Sequence, residues 1–424
     1  MKISSLTRIL VDQYAKNPPR VTYWNLSALA REAKALLFHP DPCLRAHVRE
    51  DLRRYATGSA RPVPGETAQR ARHAAEWLLR GQAATPDDGV SLGYFPIDGA
   101  YQGWRASYPE TTGYIMTSLL QFARQFDEPR MREAALKMGH WEIAVQMPSG
   151  AVQGGPVAAR DKQTPAAFNT GMVLDGWCSA YEETKDPAFL EAARKAADFL
   201  VGDLDEAGYY KTNGEYVSRG EIKTYTCLCA WAIYRFGLLV DESRYLDAAI
   251  RSIEAALKQQ HANGWFAHCC LSHSDYPLTH TLGYTLQGIL EVGLLAGRED
   301  FVAAARRGVD PILEKIQPSG YLPGCFYSDW EPGAFSSCLT GSAQIAAVCF
   351  RLAGHTGVEA YAASANRLVD FLKSLQLTES DNPALVGALA GSFPLLGSYM
   401  RSGYPNWATK YFLDALMLQD GVKP

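Results

Sequence analysis

GYFP (93–96), GAVQ (150–153), GYYK (208–211), GWFA (264–267), GYLP (320–323) and GSFP (391–394) are six versions of one turn, a glycine followed mostly by an aromatic residue. Their starts are separated by 57, 58, 56, 56 and 71 residues. A unit of that length holds one helical hairpin and a long loop, and internal periodicity outranks local signals when a fold is read. Six such units in series predict a closed ring.

The segments between the glycines divide into two kinds. Before each glycine lies an amphipathic stretch: in 186–203, Phe189, Ala193, Ala196, Ala197 and Leu200 fall at helical spacing, while Glu191, Arg194, Lys195 and Asp198 face away. Equivalent stretches at 66–82, 128–146, 242–259, 298–316 and 357–376 predict outer helices with one wet face. After each glycine loop come 110–123, 167–181, 222–236, 279–293, 336–350 and 406–418, which carry few charges and many small residues. Apolar nearly all round, they predict buried inner helices. The fold expected is all-α, an (α/α)6 barrel over 66–424. Residues 1–65, with helical patterns at SLTRILVDQY, NLSALAREAKALLF and CLRAHVREDLRRY, are expected to form a helical cap joined to the ring by the turn RPVPGET.

Composition bounds the function. The chain of 424 residues is 47% hydrophobic and carries a net charge of −4, with both signs interspersed. That gives no footprint for nucleic acid or an anionic membrane. No apolar run reaches membrane-spanning length, and MKISSLTRILVDQYAKNPPR lacks a signal-peptide apolar region, so the expected compartment is the cytoplasm. Nine cysteines is an odd number, and Cys178, Cys227, Cys229, Cys338 and Cys349 fall in inner helices, where a free thiol behaves as a small hydrophobe. Cys269 and Cys270 lie near His268 and His273, but vicinal cysteines rarely serve one tetrahedral ion. Packing and hydrogen bonding are expected there, with no metal and no cofactor.

The long loops and the first turns of the inner helices gather at one end of such a ring, and unusual residues concentrate in them. The first loop supplies Trp104, Arg105, Tyr108 and Glu110, with Tyr114 one turn on; the second supplies Arg160 and Asn169, and the third Arg219 and Tyr225. The fourth adds His268, His273, Tyr276, His280 and Tyr284, the fifth Asp329 and Glu331, and the sixth Arg401 and Tyr404. Aromatic rings interleaved with polar anchors form walls that stack on sugar faces and bond hydroxyls. The repeated aromatics Tyr94, Tyr209, Trp265 and Tyr321 are read instead as turn plugs, and Asp175 as a buried structural aspartate.

With YPETTGYI and YPLTHTLGY at two inner-helix starts, the chain resembles the six-hairpin glycosidase superfamily over roughly residues 66–420. More loosely, it is similar to the C-terminal helical domain of glucuronyl C5-epimerases and to toroidal polysaccharide lyases. The resemblance implies carbohydrate chemistry on an oligo- or polysaccharide; no family catalytic motif carries over.

Two chemistries suit the residues. Proton abstraction beside a uronic-acid carboxylate, of the lyase or C5-epimerase type, needs a base, an acid and cations. His280, Tyr284, His273, Tyr108 and Glu110 fill the first roles and the arginines the last. His280 and Tyr284 are four apart and share a helix face, and Glu110 at a helix N-terminus is expected to stay ionised. Hydrolysis needs two flanking carboxyls, for which Glu110 with Asp329 or Glu331 is the candidate pair. A non-catalytic glycan-binding protein is a further reading. So is a terpene cyclase, against which stands the lack of a DDxxD or DxDD cluster. The sequence leaves the oligomeric state open.

Overall fold

The computed structural model describes residues 19–97, 103–214, 217, 220–271 and 276–421. The expected helix at 5–14 and the candidates Arg219 and His273 lie outside the described residues. Two cap helices, α1 (Pro19–Leu37) and α2 (Pro42–Thr57), come first. Outer and inner helices then alternate: α3 (Thr67–Ala83), α4 (Pro109–Phe126), α5 (Pro129–Val145), α6 (Ala167–Thr184), α7 (Pro187–Asp203), α8 (Cys227–Val240), α9 (Ser243–Leu257), α10 (Thr279–Ala296), α11 (Glu299–Leu313), α12 (Leu339–Thr356), α13 (Glu359–Leu375) and α14 (Asn406–Gln419).

Burial follows the two sequence patterns. In outer α9 the buried positions Tyr245, Ala248, Ala249, Ser252, Ile253 and Ala256 form one stripe. In inner α10 every residue from Thr279 to Gly293 is buried apart from Gln287. Each inner helix packs on the next, α4 on α6, α8, α10, α12 and α14 in turn, and α14 returns to α4. The described helices therefore make a closed (α/α)6 toroid. Small residues permit the close packing: at Gly288 a side chain would run into the Cys227 backbone of α8.

The packing unit differs from the unit suggested by the glycines. The sequence reads as outer helix, loop, inner helix; in the structure each inner helix pairs with the outer helix that follows it. The connections are two-residue turns, Asp127-Glu128, Lys185-Asp186, Asp241-Glu242, Gly297-Arg298 and Gly357-Val358. The first residue of each is left-handed, with φ of 52°, 59°, 55°, 64° and 70°. In that geometry its N–H caps a carbonyl of the helix just ended, as between Lys185 and Tyr181 at 2.8 Å. The sixth pair is split: α14, the last helix, packs on α3, the first outer one.

The glycine turns are then the links between hairpins. Gly150, Gly208, Gly264, Gly320 and Gly387 have φ of 87°, 96°, 86°, 88° and 91°. A Cβ at each would land on a backbone oxygen of the next outer helix, at Lys195, Arg251, Arg307, Arg367 and His73. The sixth member is thus Gly387, not Gly391, and it sits on α3. Gly93 departs too, lying in β1 (Gly93–Phe95), which pairs with β2 (Gly103–Trp104) and β5 (Tyr404–Pro405); β3 (Ser337–Cys338) and β4 (Ser392–Phe393) form a second small ladder.

A glutamine closing the outer helix recurs beside these turns. Gln146 donates to the carbonyls of Gly150 and Ala192, both at 3.0 Å, and Gln260 to those of Gly264 and Ala304 at 3.4 and 2.8 Å. Gln376 bonds Gly387 and Arg70 at 3.1 Å each, across the ring closure. The cap rests on the fifth and sixth loops and on the end of α13. Asp51 of α2 accepts the Leu395 N–H at 2.6 Å, Arg54 bonds the Ser374 carbonyl at 2.9 Å, and Tyr55 bonds the Phe335 carbonyl.

Candidate active site

Because each hairpin reverses the chain, all six inner helices run the same way. Their N-termini and the long loops share one end of the ring, and their C-termini and the short turns share the other. At the loop end Tyr108 is the N-cap of α4, and its hydroxyl donates to Glu110 at 2.9 Å. Solvent reaches part of Tyr108, Glu110 and Tyr399, while protein surrounds them. Burial pushes the Glu110 carboxyl up to about 7, against the Tyr108 hydrogen bond, which favours the ionised form. The expectation that the helix N-terminus keeps Glu110 fully ionised is corrected: a partial helix charge does not offset this desolvation.

His280, in the first turn of α10, is buried against Tyr284 (ring centroids 4.4 Å apart) and Tyr399 (5.4 Å). Its Nδ1 lies 2.8 Å from Gln344 Oε1 on α12. With that amide orientation the oxygen accepts, so Nδ1 carries the proton and Nε2 keeps its lone pair. Burial lowers the His280 pKa to about 4, the Gln344 bond opposing, so the ring is neutral near pH 7. Glu110 acts electrostatically on Tyr114, Tyr225, Tyr284, Tyr399 and Tyr411. Three of these, Tyr284, Tyr399 and Tyr411, are also the rings around His280. The carboxyl and the imidazole thus face one set of aromatic rings.

Other expected residues join it. Tyr114 packs on Tyr411 at 5.5 Å, and Tyr225 meets Phe168 edge-on at 5.3 Å, with Phe168 against Tyr284 at 4.7 Å. Asn169 is buried beside Tyr108, its amide donating to the Gln153 carbonyl at 3.0 Å.

The remainder sit elsewhere. Trp104 packs between Trp77 and Tyr94 at the ring closure, Arg105 lies 4.7 Å over the Phe95 ring, and Tyr404 is buried in β5. Arg401 approaches Glu32 of the cap at 4.0 Å. His268 is exposed and serves through its carbonyl, which accepts from Thr224 at 3.1 Å. Tyr276 meets Tyr327 at 5.7 Å, and Arg160 opens the short turn Arg160–Lys162. Asp329 is exposed and takes the Glu331 N–H at 3.1 Å, while Glu331 lies 3.5 Å from Lys315.

Tyr209 and Tyr321 plug their turns, bonding the Ala255 and Phe335 carbonyls at 2.8 Å. Asp175 is buried, pairs with Arg235 and accepts from Thr117 at 2.8 Å. The inner-helix cysteines are free and buried, and Cys269 lies 3.2 Å from the Thr285 hydroxyl. Among the described residues, no group of potential metal ligands forms around Cys269 and Cys270. No described helix is long and apolar enough to cross a membrane.

Sequence reasoning missed Gln344, Tyr411 and Phe168. The available signal for Gln344 was one amide in an otherwise apolar helix, GSAQIAAV.

Neither a family model nor a curated protein sequence matches the chain. Solved structures do. An unsaturated glucuronyl hydrolase responsible for glycosaminoglycan degradation, from Bacillus sp. GL1, matches with a TM-score of 0.66 at 16% identity, over 82% of this chain and 96% of that one. A cellobiose 2-epimerase from Bacillus thermoamylovorans matches at 0.64 and 10% identity, over 82% and 98%. A D-mannose isomerase matches at 0.64 and 12%, over 83% and 97%. At these identities the likeness shows the fold, the six-hairpin toroid.

Proposed function

We propose that the protein is a carbohydrate-active enzyme that moves protons at a sugar carbon, with Glu110 and His280 as its acid–base groups. The observation that carries the reading is a carboxyl poised at about 7 and a neutral histidine that face the same tyrosines, Tyr284, Tyr399 and Tyr411, at the loop end. General acid–base groups work best with a pKa near the operating pH. Ionised Glu110 takes a proton from the carbon next to a carbonyl or carboxylate. The Tyr108 hydroxyl holds the carboxyl in place, and the tyrosines, with Trp407 edge-on to Tyr108 at 6.2 Å, stack on the sugar. The names of the structural neighbours include an epimerase and an isomerase beside hydrolases; the preference for proton transfer rests on Asp329 and Glu331, which bond within their own turn and to Lys315.

The acidic-substrate reading rested on four arginines. Of the two with described side chains, Arg105 stacks on Phe95 and Arg401 approaches the cap. A neutral aldose or its disaccharide is therefore the preferred substrate, with a uronic-acid glycan second. The test is incubation of both classes in deuterated water. Carbon-bound deuterium with a changed sugar and no cleavage supports the proposal, at C2 for a neutral sugar and C5 for a uronate. A conjugated uronate chromophore would mean elimination, and new reducing ends without deuterium would mean hydrolysis and sink it.

A further inference from the structure

Toward the opposite mouth of the ring, residues of all six inner helices line a cavity of about 630 Å³. That is within the ~300–1,000 Å³ of ordinary small-molecule sites. Its wall is built of paired charges. Glu291 and Arg351 meet through two bonds of 2.7 Å, Lys410 and Asp414 are 2.7 Å apart, and Asp175 pairs with Arg235. Four cationic and four acidic side chains line it, so the site carries no net charge. Trp231 and Tyr411 supply flat apolar faces. Gln287 is the one solvent-reached residue in the first four turns of α10, and its Oε1 is buried with no hydrogen-bond partner. The Oε1 of Gln125, also on the wall, is in the same condition.

Such a wall disfavours ions, which would compete with pairs already made, and apolar ligands, which would leave the amides unanswered. Fixed carboxylates and guanidinium groups offer acceptors and donors in alternation, beside rings on which a sugar face can stack. We infer that this cavity is a second binding site, for a neutral polyhydroxylated molecule of mono- to disaccharide size, with the Gln287 side chain turning to present its amide to a ligand hydroxyl. Tyr114 and Tyr411 line the cavity and also belong to the Glu110 cluster, so the two ends share a wall. The inference does not depend on the chemistry proposed at Glu110.

Calorimetric titration of the full chain with glucose, mannose, cellobiose, sorbitol and glucose 6-phosphate tests it, in wild type and in Glu110→Gln to silence turnover. In Glu110→Gln a sugar site separate from the loop-end one is expected, identified by the cavity variants. It should weaken about tenfold in Gln287→Leu, the loss of one hydrogen bond, and vanish in Gln121→Trp, which fills the cavity, while both variants turn substrate over at the loop end as wild type does. Gln287→Leu is nearly isosteric and keeps the test decisive if the tryptophan variant fails to fold. Unchanged binding in the folded variants, no binding of any neutral probe, or preference for glucose 6-phosphate would overturn the assignment. Absence of turnover on every sugar would sink the reading at Glu110 and leave these titrations valid.

Discussion

Glu110 and His280 are shifted toward each other in function by the same cause acting on opposite charges. Desolvation raises a carboxyl and lowers an imidazole, so near neutrality one is half-ionised and the other neutral. The proposed rate should rise with pH through about 7, as Glu110 loses its proton. In Glu110→Gln that rise should disappear and the rate fall by roughly 10²–10⁴-fold. The same shift acts on stability. A folded pKa above the unfolded 4.5 means the protonated form is favoured by the fold, so the contribution is full below 4.5 and lost as pH rises through about 7. Glu110→Gln should therefore melt higher than wild type above pH 7, and a melt no higher than wild type would contradict the burial argument. Gln344 acts through His280. Gln344→Met should lower turnover roughly tenfold, through a lost orienting bond, and leave the Glu110 limb of the pH profile in place. The sequence placed Glu110, His280, Tyr108 and Tyr284 together at one end, because repeats put equivalent positions at equivalent heights. It did not reveal Gln344 or the ionisation of Glu110, because both depend on which helices face each other across the axis.

Among the elements, the turns that read most alike do different work. The glycine links are pressed against a neighbouring backbone, whereas the two-residue turns are left-handed in open space. Gly264→Ala meets the Arg307 carbonyl as well as an unfavourable φ of 86°, whereas at Gly297, with φ 64°, nothing stands within 4 Å. The first should cost about 3–5 kcal/mol and the second about 1 kcal/mol, measured by denaturant unfolding; equal costs would show that the close approach contributes nothing. Cap docking carries its own pH dependence. Burial raises Asp51 from 3.8 to about 7 while it accepts the Leu395 N–H. Its contribution is full below 3.8 and declines through about 7, so protease sensitivity of the α2 segment should increase across that window, and Asp51→Asn, which still accepts the bond, should flatten the change. Outer-helix bounds were legible to within about three residues, since a one-faced apolar pattern stops sharply, whereas the inner stretches 222–236 and 336–350 fold as Cys227–Val240 and Leu339–Thr356 because apolar loop residues extend their pattern. Hairpin pairing was not, because the two-residue connections DE, KD, DE, GR and GV carry no common letter, whereas the long loops carry a conspicuous glycine.

The whole molecule is a ring fastened by its two ends. Beyond the packing of α14 on α3, the fastening includes Gln376 on the Arg70 carbonyl, Trp77 on the Ala384 carbonyl at 2.8 Å, and Asn406 on the Ser91 carbonyl at 2.8 Å. An open solenoid loses one repeat at a time; a ring has no end repeat to lose. Truncation before α14, at Ser402, should therefore abolish the folded state, with loss of the cooperative transition in calorimetry, and a truncated chain that still melts cooperatively would refute this view of closure. The split hairpin also sets an order of events at birth. α3 begins at Thr67 and α14 at Asn406, so at ~5–20 residues per second the apolar stripe of α3 waits on the order of tens of seconds for its partner. Throughout that interval the nascent chain presents a ready docking strip to chaperones, and the ring closes only once α14 has been made.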